Sequence, residues 1–428
     1  MVRTLTTMAL AATACVAGNP VAEQPMVERN GGSITPPGCA YQMTTRVGAE
    51  APALPGATVG AGPDVGQVHL GLAGDPRTSM VVSWRTSDDV TTAGQVRYGV
   101  GDALDQTAPG LTFTYLADFG NGAIVRMHEA HLCGLTADTS YSYQIESTAG
   151  ATSPVYQFRT APDVEATPDA EVVIAAVGDS RDGYDVWAQI VDQLIARAPD
   201  VVVFSGDAVT LGSLQREWDE FFTAGEPLLA RVPVVSAHGN HDLNSPNYYA
   251  QFAMPGNEEN FSFDAGYAHL VVVNDSPEQL ADLTGTIPAF LQSDLTTHAA
   301  ARWKIVNHHR PVYSASTRHG SDTTLRDSWA PIFDAQAVDL VLNGHDHDYE
   351  RSKPMRANQA QASAADGTIY VVSGGAGAEL YGNGADFWTE VSASLHSATV
   401  VRVRRDTLTL EAFDEGGVAV DGFVITKP

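Results

Sequence analysis

Five short apolar runs between residues 172 and 342 each end on residues able to bind a metal ion, and this recurrence constrains the fold more than any other feature. Val172–Val177 runs into Gly178-Asp179, Val201–Phe204 into Ser205-Gly206-Asp207, and Val232–Ser236 into His238-Gly239-Asn240-His241-Asp242. Trp303–Val306 leads to His308-His309, and Val338–Leu342 to Gly344-His345-Asp346-His347. Runs this short and apolar read as buried strands, whereas Tyr184–Arg197 and Leu214–Leu229 carry helical periodicity. Further strands are expected at His269–Val273, Thr368–Val372, Ala398–Arg404, Thr407–Phe413 and Val418–Ile425, with a Gly416-Gly417 turn between the last two. The alternation predicts an α/β domain with a mixed sheet, and such folds place ligand sites beyond the carboxyl ends of their strands. Each block alone has a bland reading: Gly-Asp is commonly a turn, Asn-His-Asp a capped loop, His-x-His a pair of splayed side chains. Packing does not explain all five in this order. Carboxylates, an amide oxygen and imidazoles together suit Zn, Mn or Fe, with no thiolate needed.

The remaining sequence bounds the context. At 428 residues the chain exceeds one ordinary domain. Residues 63–161 change to short β-type runs between turns, among them Gln67–Leu70, Met80–Trp84, Gly94–Tyr98, Tyr141–Ile145 and Val155–Thr160, the spacing of a β-sandwich. A short linker, 162–170, separates them from the α/β domain, 171–428. Residues 1–18 read as an export signal, with Arg3 ahead of an apolar stretch shorter than the ~20 residues needed to span a bilayer. Export implies a periplasmic, cell-surface or extracellular protein. Residues 19–62, rich in Pro, Gly, Ala and Thr, read as a flexible tether. Thr13-Ala14-Cys15 resembles a lipid-attachment site, although Ala12 stands where Leu is usual; Cys15 is either a lipid anchor or lost with the signal. Cys39 and Cys133 then leave one possible intrachain pair, which export permits and spacing does not decide. No transmembrane segment is expected, and the oligomeric state stays open. The net charge of −27 argues against sequence-independent nucleic-acid binding, yet admits an anionic substrate at a site with its own cations.

Longer blocks carry a resemblance. Trp218-Asp219-Glu220-Phe221-Phe222, Gly239-Asn240-His241-Asp242, Val306 to Tyr313 and Gly344 to Arg351 with Pro354 behind it resemble the metallophosphoesterase superfamily, specifically its purple acid phosphatase branch. Ser83-Trp84-Arg85-Thr86, Val96 to Gly99 and Leu135 to Tyr143 are similar to that branch's N-terminal domain. The resemblance spans 63–428. It implies a multidomain fold: an N-terminal all-β, fibronectin type III-like sandwich, then an α/β domain of mixed sheets flanked by helices. It assigns Asp179, Asp207 and His347 to one metal, with Asp207 bridging to a second held by Asn240, His309 and His345. His241 matches a histidine that contacts substrate or protonates the leaving oxygen. His319 matches a further substrate histidine, or is an exposed loop residue. The function implied is hydrolysis of a small phosphorylated substrate, a phosphate monoester, by a dinuclear phosphatase. A phosphodiesterase or nucleotide hydrolase on the same site is the alternative, and a non-catalytic binding protein with a degenerate site a third reading.

Two positions depart from the family pattern. Asp179-Ser180-Arg181 puts a guanidinium where the branch has Gly and the wider superfamily His, and arginine has no lone pair to offer a metal. Arg181 then either grips substrate phosphate or pairs with a carboxylate such as Asp182, while Tyr184, Asp182 or water replaces the lost ligand. Three residues after Asp207 the branch has Tyr; here stands Thr210. A ferric-tyrosinate centre is therefore not expected, and the cofactors read as two divalent ions. His308 reads as packed behind His309; His69, His128, His131, His269, His298 and His396 read as structural, and Gly374 to Gly377 as a turn near the site.

Overall fold

The structure, a computed structural model, describes residues 33–44, 64–87, 91, 94–116, 124–147 and 150–428. The expected signal, Cys15 and most of the expected tether lie outside these residues. Residues 33–44 differ from that expectation. Ser33–Ile34 pairs with Met43–Thr44 as a small hairpin, and Cys39 is disulfide-bonded to Cys133. His131 donates from Nε2 to Glu129 Oε1 at 2.5 Å, so its Nδ1 accepts from the Tyr41 hydroxyl at 2.6 Å. A covalent bond and a buried polar chain thus dock a segment whose Pro- and Gly-rich composition reads as unstructured.

Among the described residues the N-terminal domain has seven strands, in the order Gly66–Gly71, Ser79–Thr86, Ile124–Cys133, Gln106–Leu116, Gln95–Val100, Ser140–Glu146 and Tyr156–Arg159. Five correspond to the runs read from sequence. The two long strands, Gln106–Leu116 and Ile124–Cys133, escape a search for apolar alternation for physical reasons. The first carries Pro109-Gly110 where it passes from pairing with Gln95–Val100 to pairing with Ile124–Cys133. The second carries buried polar side chains, including His128 between the hydroxyls of Thr86 and Thr112.

Two mixed sheets form the second domain. In the first, Val172–Val177, Val201–Phe204 and Val234–Ser236 run parallel, and Ser397–Val403, Thr407–Asp414 and Ala419–Thr426 continue the sheet antiparallel. In the second, Ala268–Val272, Trp303–Asn307, Leu340–Asn343 and Ile369–Ser373 run parallel between antiparallel edges. The sheets meet where their parallel strands end: Ser205 Oγ donates to Asn307 Oδ1 at 2.7 Å, and the Gly178 N–H to Ser373 O at 3.1 Å. All five metal-type blocks therefore leave parallel strands at one convergent edge. Among the described residues, no helix is long and apolar enough to cross a membrane.

Helix Gln215–Leu229 joins the domains. Trp218, Phe221 and Phe222 enter the core, where Trp187 stacks on Phe221 at 5.6 Å. Its polar residues meet the β-domain: Asp219 pairs with Arg85, Glu226 accepts from the Tyr156 hydroxyl at 2.7 Å, and Gln215 accepts from the Tyr115 hydroxyl at 2.6 Å. His69 of the β-domain stacks on Phe222 at 4.2 Å.

A second histidine, His269 on Ala268–Val272, is held by acids on both sides. Its Nδ1 donates to Asp264 at 2.7 Å and its Nε2 to Asp294 at 2.9 Å, while the His298 ring stacks on it at 3.9 Å. Burial alone would lower its pKa, but the two carboxylates outweigh burial and raise it from 6.5 to about 9. The charged triad therefore contributes its full stability below the unfolded-state value, and loses it as pH rises through about 9. Urea denaturation between pH 6 and 10 should show wild-type stability falling over the upper part of that range. Asp294→Asn should start less stable and show a visibly smaller fall.

Candidate metal centre

The backbone at the convergent edge is unusual. Asp179, Asp207 and His345 adopt the left-handed region, at φ 61°, 56° and 70°. Outside glycine such conformations cost on the order of 1 kcal/mol or more each and persist where surrounding contacts over-determine them. Here the contacts are plain. The Asp207 N–H donates to Asp242 Oδ2 at 3.0 Å, and the His345 N–H to Asp179 Oδ2 at 2.9 Å. Two glycines make room: a Cβ at Gly239 would lie 2.2 Å from Asp207 Oδ1, and one at Gly344 would lie 2.2 Å from Asp179 Oδ2.

One group of donors gathers around His309. Its Nδ1 donates to Ser205 O at 2.7 Å, so in the neutral ring Nε2 carries a lone pair. That Nε2 lies 3.0 Å from Asn240 Oδ1, 3.1 Å from His345 Nδ1 and 3.4 Å from Asp207 Oδ2. Asp207, His309 and His345 can each turn a ligand atom to within 4.8 Å of the others. Lone pairs facing one another at these distances require a proton or a metal cation among them, and the donor set of carboxylate, amide oxygen and two imidazoles fits a divalent metal ion. Burial opposes charge on His309, but the Asp207 carboxylate outweighs it and raises the imidazole to about 10, while Asp207 falls well below the usual carboxylate range.

A second group lies beside it. Asp179 Oδ1 is 3.6 Å from His347 Nε2 and is buried without a hydrogen-bond partner. His347 donates from Nδ1 to Glu379 O at 2.7 Å, which leaves Nε2 as its acceptor. Arg181 links the two groups, since it approaches both Asp207 Oδ2 and His347. Arg181 enters here rather than turning to solvent: Nη2 lies 3.3 Å from His347 Nε2 and 3.4 Å from the Tyr381 hydroxyl, and Nε lies 3.7 Å from Asp207 Oδ2. Its pairing with the exposed Asp182 is a loose 3.8 Å.

The structure thus brings all six sequence-identified ligand candidates together, with Arg181 among them. His241 stands at the opening, its Nδ1 donating to Thr210 O at 2.7 Å and its backbone N–H to Asp207 Oδ1 at 2.8 Å. His319 is exposed at the rim, its ring 4.4 Å from that of His345. The Thr210 hydroxyl is buried without a hydrogen-bond partner, and the Tyr184 hydroxyl donates to Ala208 O at 3.4 Å. His308 is buried, 3.1 Å from Asp275 Oδ2. Gly374 to Gly377 supports the site from below: the Ala376 N–H donates to Gly178 O at 3.1 Å and the Ala378 N–H to Asp179 O at 2.9 Å.

Three participants were not singled out by sequence. Tyr381 stacks its ring on His347 at 3.9 Å, and its signal is nothing more than a tyrosine shortly after a glycine turn. Asp242 ends the quoted Gly239-Asn240-His241-Asp242 block, and its Oδ2 accepts from the N–H groups of Asp207 and Gly239. Glu217 accepts from the N–H groups of Thr210 and Leu211, fixing the loop on which His241 leans.

Comparison with known proteins gives a consistent picture. Residues 65–160 match the family described as purple acid phosphatase, N-terminal domain, and residues 172–349 match calcineurin-like phosphoesterase. Two uncharacterized proteins of Mycobacterium tuberculosis strains are each 29% identical, over 69% of this chain and 63% of theirs, so the chain spans under two thirds of their length. Purple acid phosphatase 22 of Arabidopsis thaliana is 28% identical, over 73% of this chain and 72% of its own. Human acid phosphatase type 7 is 29% identical, over 73% and 78%. A solved purple acid phosphatase from yellow lupin seeds superposes with a TM-score of 0.73 at 20% identity, over 85% of this chain and 74% of that one, a likeness of fold.

A metal ion and a proton compete for His309 Nε2. Titrating Zn²⁺ into the metal-free protein at pH 7 should release about one proton per ion from this imidazole, and apparent affinity should rise with pH. Calorimetry in buffers of different ionisation enthalpy reads that proton directly.

Proposed function

We propose, from the match of residues 172–349 to the calcineurin-like phosphoesterases and of residues 65–160 to the N-terminal domain of the purple acid phosphatases, that this chain is an exported, metal-dependent hydrolase of phosphate monoesters. The observation that carries this reading is the convergence of Asp207, Asn240, His309 and His345 on one point, acceptor facing acceptor. These residues would hold a divalent ion of Zn, Mn or Fe. Asp179 and His347 border a second position on the other side of Asp207, the place of the second ion that the family pattern implies. Bound metal supplies charge neutralisation at the phosphoryl group and a nucleophile drawn from water near neutral pH.

The chain's own groups would do the rest. His241, its Nδ1 proton committed to Thr210 O, presents Nε2 to the opening, where a proton held there can pass to the departing alkoxide oxygen. Arg181 would offer a charged donor and His319, whose imidazole partial burial keeps neutral, an uncharged one to the non-bridging oxygens of a phosphoryl group, and the guanidinium charge favours dianionic monoesters over monoanionic diesters. Thr210 in place of a phenolate, with the Tyr184 hydroxyl engaged on Ala208 O, favours divalent ions over ferric iron. The Cys39–Cys133 disulfide supports export, since such bonds persist in oxidising compartments.

Turnover of alkyl phosphates, p-nitrophenyl phosphate and bis(p-nitrophenyl) phosphate tests the reading. Monoesters should be preferred. His241→Ala should lower kcat for alkyl phosphates by roughly 10²-fold or more, and for p-nitrophenyl phosphate much less, because that leaving group needs little protonation. Faster hydrolysis of the diester would move the assignment to a phosphodiesterase.

A further inference from the structure

We infer that Arg181 takes the place of a metal ion, its guanidinium capping the second position, bordered by Asp179 and His347, so that the chain binds one divalent ion tightly, between Asp207, Asn240, His309 and His345, rather than two. The inference rests on the reading of the site as a metal-dependent hydrolase.

The decisive atom is His347 Nε2. With Nδ1–H committed to Glu379 O, Nε2 has the only lone pair that His347 can offer, and Arg181 Nη2 reaches it at 3.3 Å. A lone pair that accepts from a guanidinium is not available to a metal. Both partners are held in this arrangement. The Tyr381 ring stacks on His347 at 3.9 Å, its N–H donates to His347 O at 2.9 Å, and its hydroxyl lies 3.4 Å from the same Nη2. Arg318 lies over the Tyr381 ring, its guanidinium carbon 4.6 Å from the ring centre.

Without His347 the second position keeps Asp179 Oδ1 and the Asp207 Oδ2 that the family pattern would share between the two ions. The family's phenolate is absent because position 210 is threonine, and Tyr184 directs its hydroxyl to Ala208 O. Two carboxylate oxygens, one of them shared with the other position, are a poor chelate for a divalent ion. They also face a guanidinium that stays charged at any working pH, with Nε 3.7 Å from Asp207 Oδ2. The site around His309 keeps its donors: Asn240, His309 and His345 have no contact with Arg181 among those the structure records, and Asp207 Oδ2, although 3.7 Å from Arg181 Nε, lies 3.4 Å from His309 Nε2. A guanidinium can neutralise a phosphoryl oxygen but cannot activate water, so the two duties of a metal pair are divided here between an ion and a side chain.

Metal stoichiometry tests this directly. The full chain, loaded with Mn²⁺ or Zn²⁺ and dialysed against metal-free buffer, should retain one ion per chain by elemental analysis. Its Mn²⁺ form should give the electron paramagnetic resonance spectrum of an isolated ion. Arg181→His, which restores the imidazole of the wider superfamily, and Arg181→Gly, which removes the cap, should each retain closer to two ions and show an exchange-coupled pair. Two tightly held ions in the wild-type protein would overturn the inference, as would one ion in the wild type and still one in both folded variants. No retained ion in the wild type would instead overturn the metal-dependent reading beneath it.

Discussion

The buried carboxylate of Asp207 is the constraint to which the rest of the site answers. A charge removed from water is stable only if surrounded by partners, and several neighbours of Asp207 supply them. The backbone N–H of His241 meets Oδ1, His309 and Arg181 approach Oδ2, and Asp242 holds the Asp207 N–H. The left-handed backbone at this residue and the missing side chain at Gly239 answer the same demand. They bring a strand end from each of the two sheets close enough to share one negative group.

Much of this was legible in the sequence because parallel strands betray themselves. They are buried on both faces, so they read as unbroken apolar runs, and the fold presents the residues just beyond the end of each run. Val172–Val177 and Val201–Phe204 stand in the structure with the bounds read from their residues, as does helix Tyr184–Arg197. The β-domain was less transparent because its two longest strands face other protein rather than water and oil. On Ile124–Cys133 the buried positions include Arg126, His128, Glu129 and His131, so burial and apolarity part company. Residues 33–44 hid their order for a different reason, since a disulfide's partner cannot be read from composition.

Within the site, residue types were readable and directions were not. That Arg181 could not be a ligand is a matter of chemistry alone. That it turns inward to His347 instead of outward to Asp182 depends on a loop with Asp179 and Asp182 both at positive φ, a conformation the letters Asp-Ser-Arg-Asp do not announce. Tyr381 was invisible for the same reason. It lies far along the chain from the metal-type blocks and reaches them only through the fold of the loop after Ile369–Ser373.

Helix Gln215–Leu229 has one further implication. Its one side is fitted to the β-domain through Asp219 and Glu226, its other to the core through Trp218 and Phe221, and its Glu217 clamps the Thr210 loop against which His241 rests. A single rigid rod is thus committed on three sides at once. In evolutionary terms the two domains are not interchangeable parts: a recombination event that exchanged the β-domain for a foreign one would leave half-buried carboxylates facing the wrong surface, and the disturbance would travel one helical turn to the histidine at the mouth of the site. The heritable module is the pair.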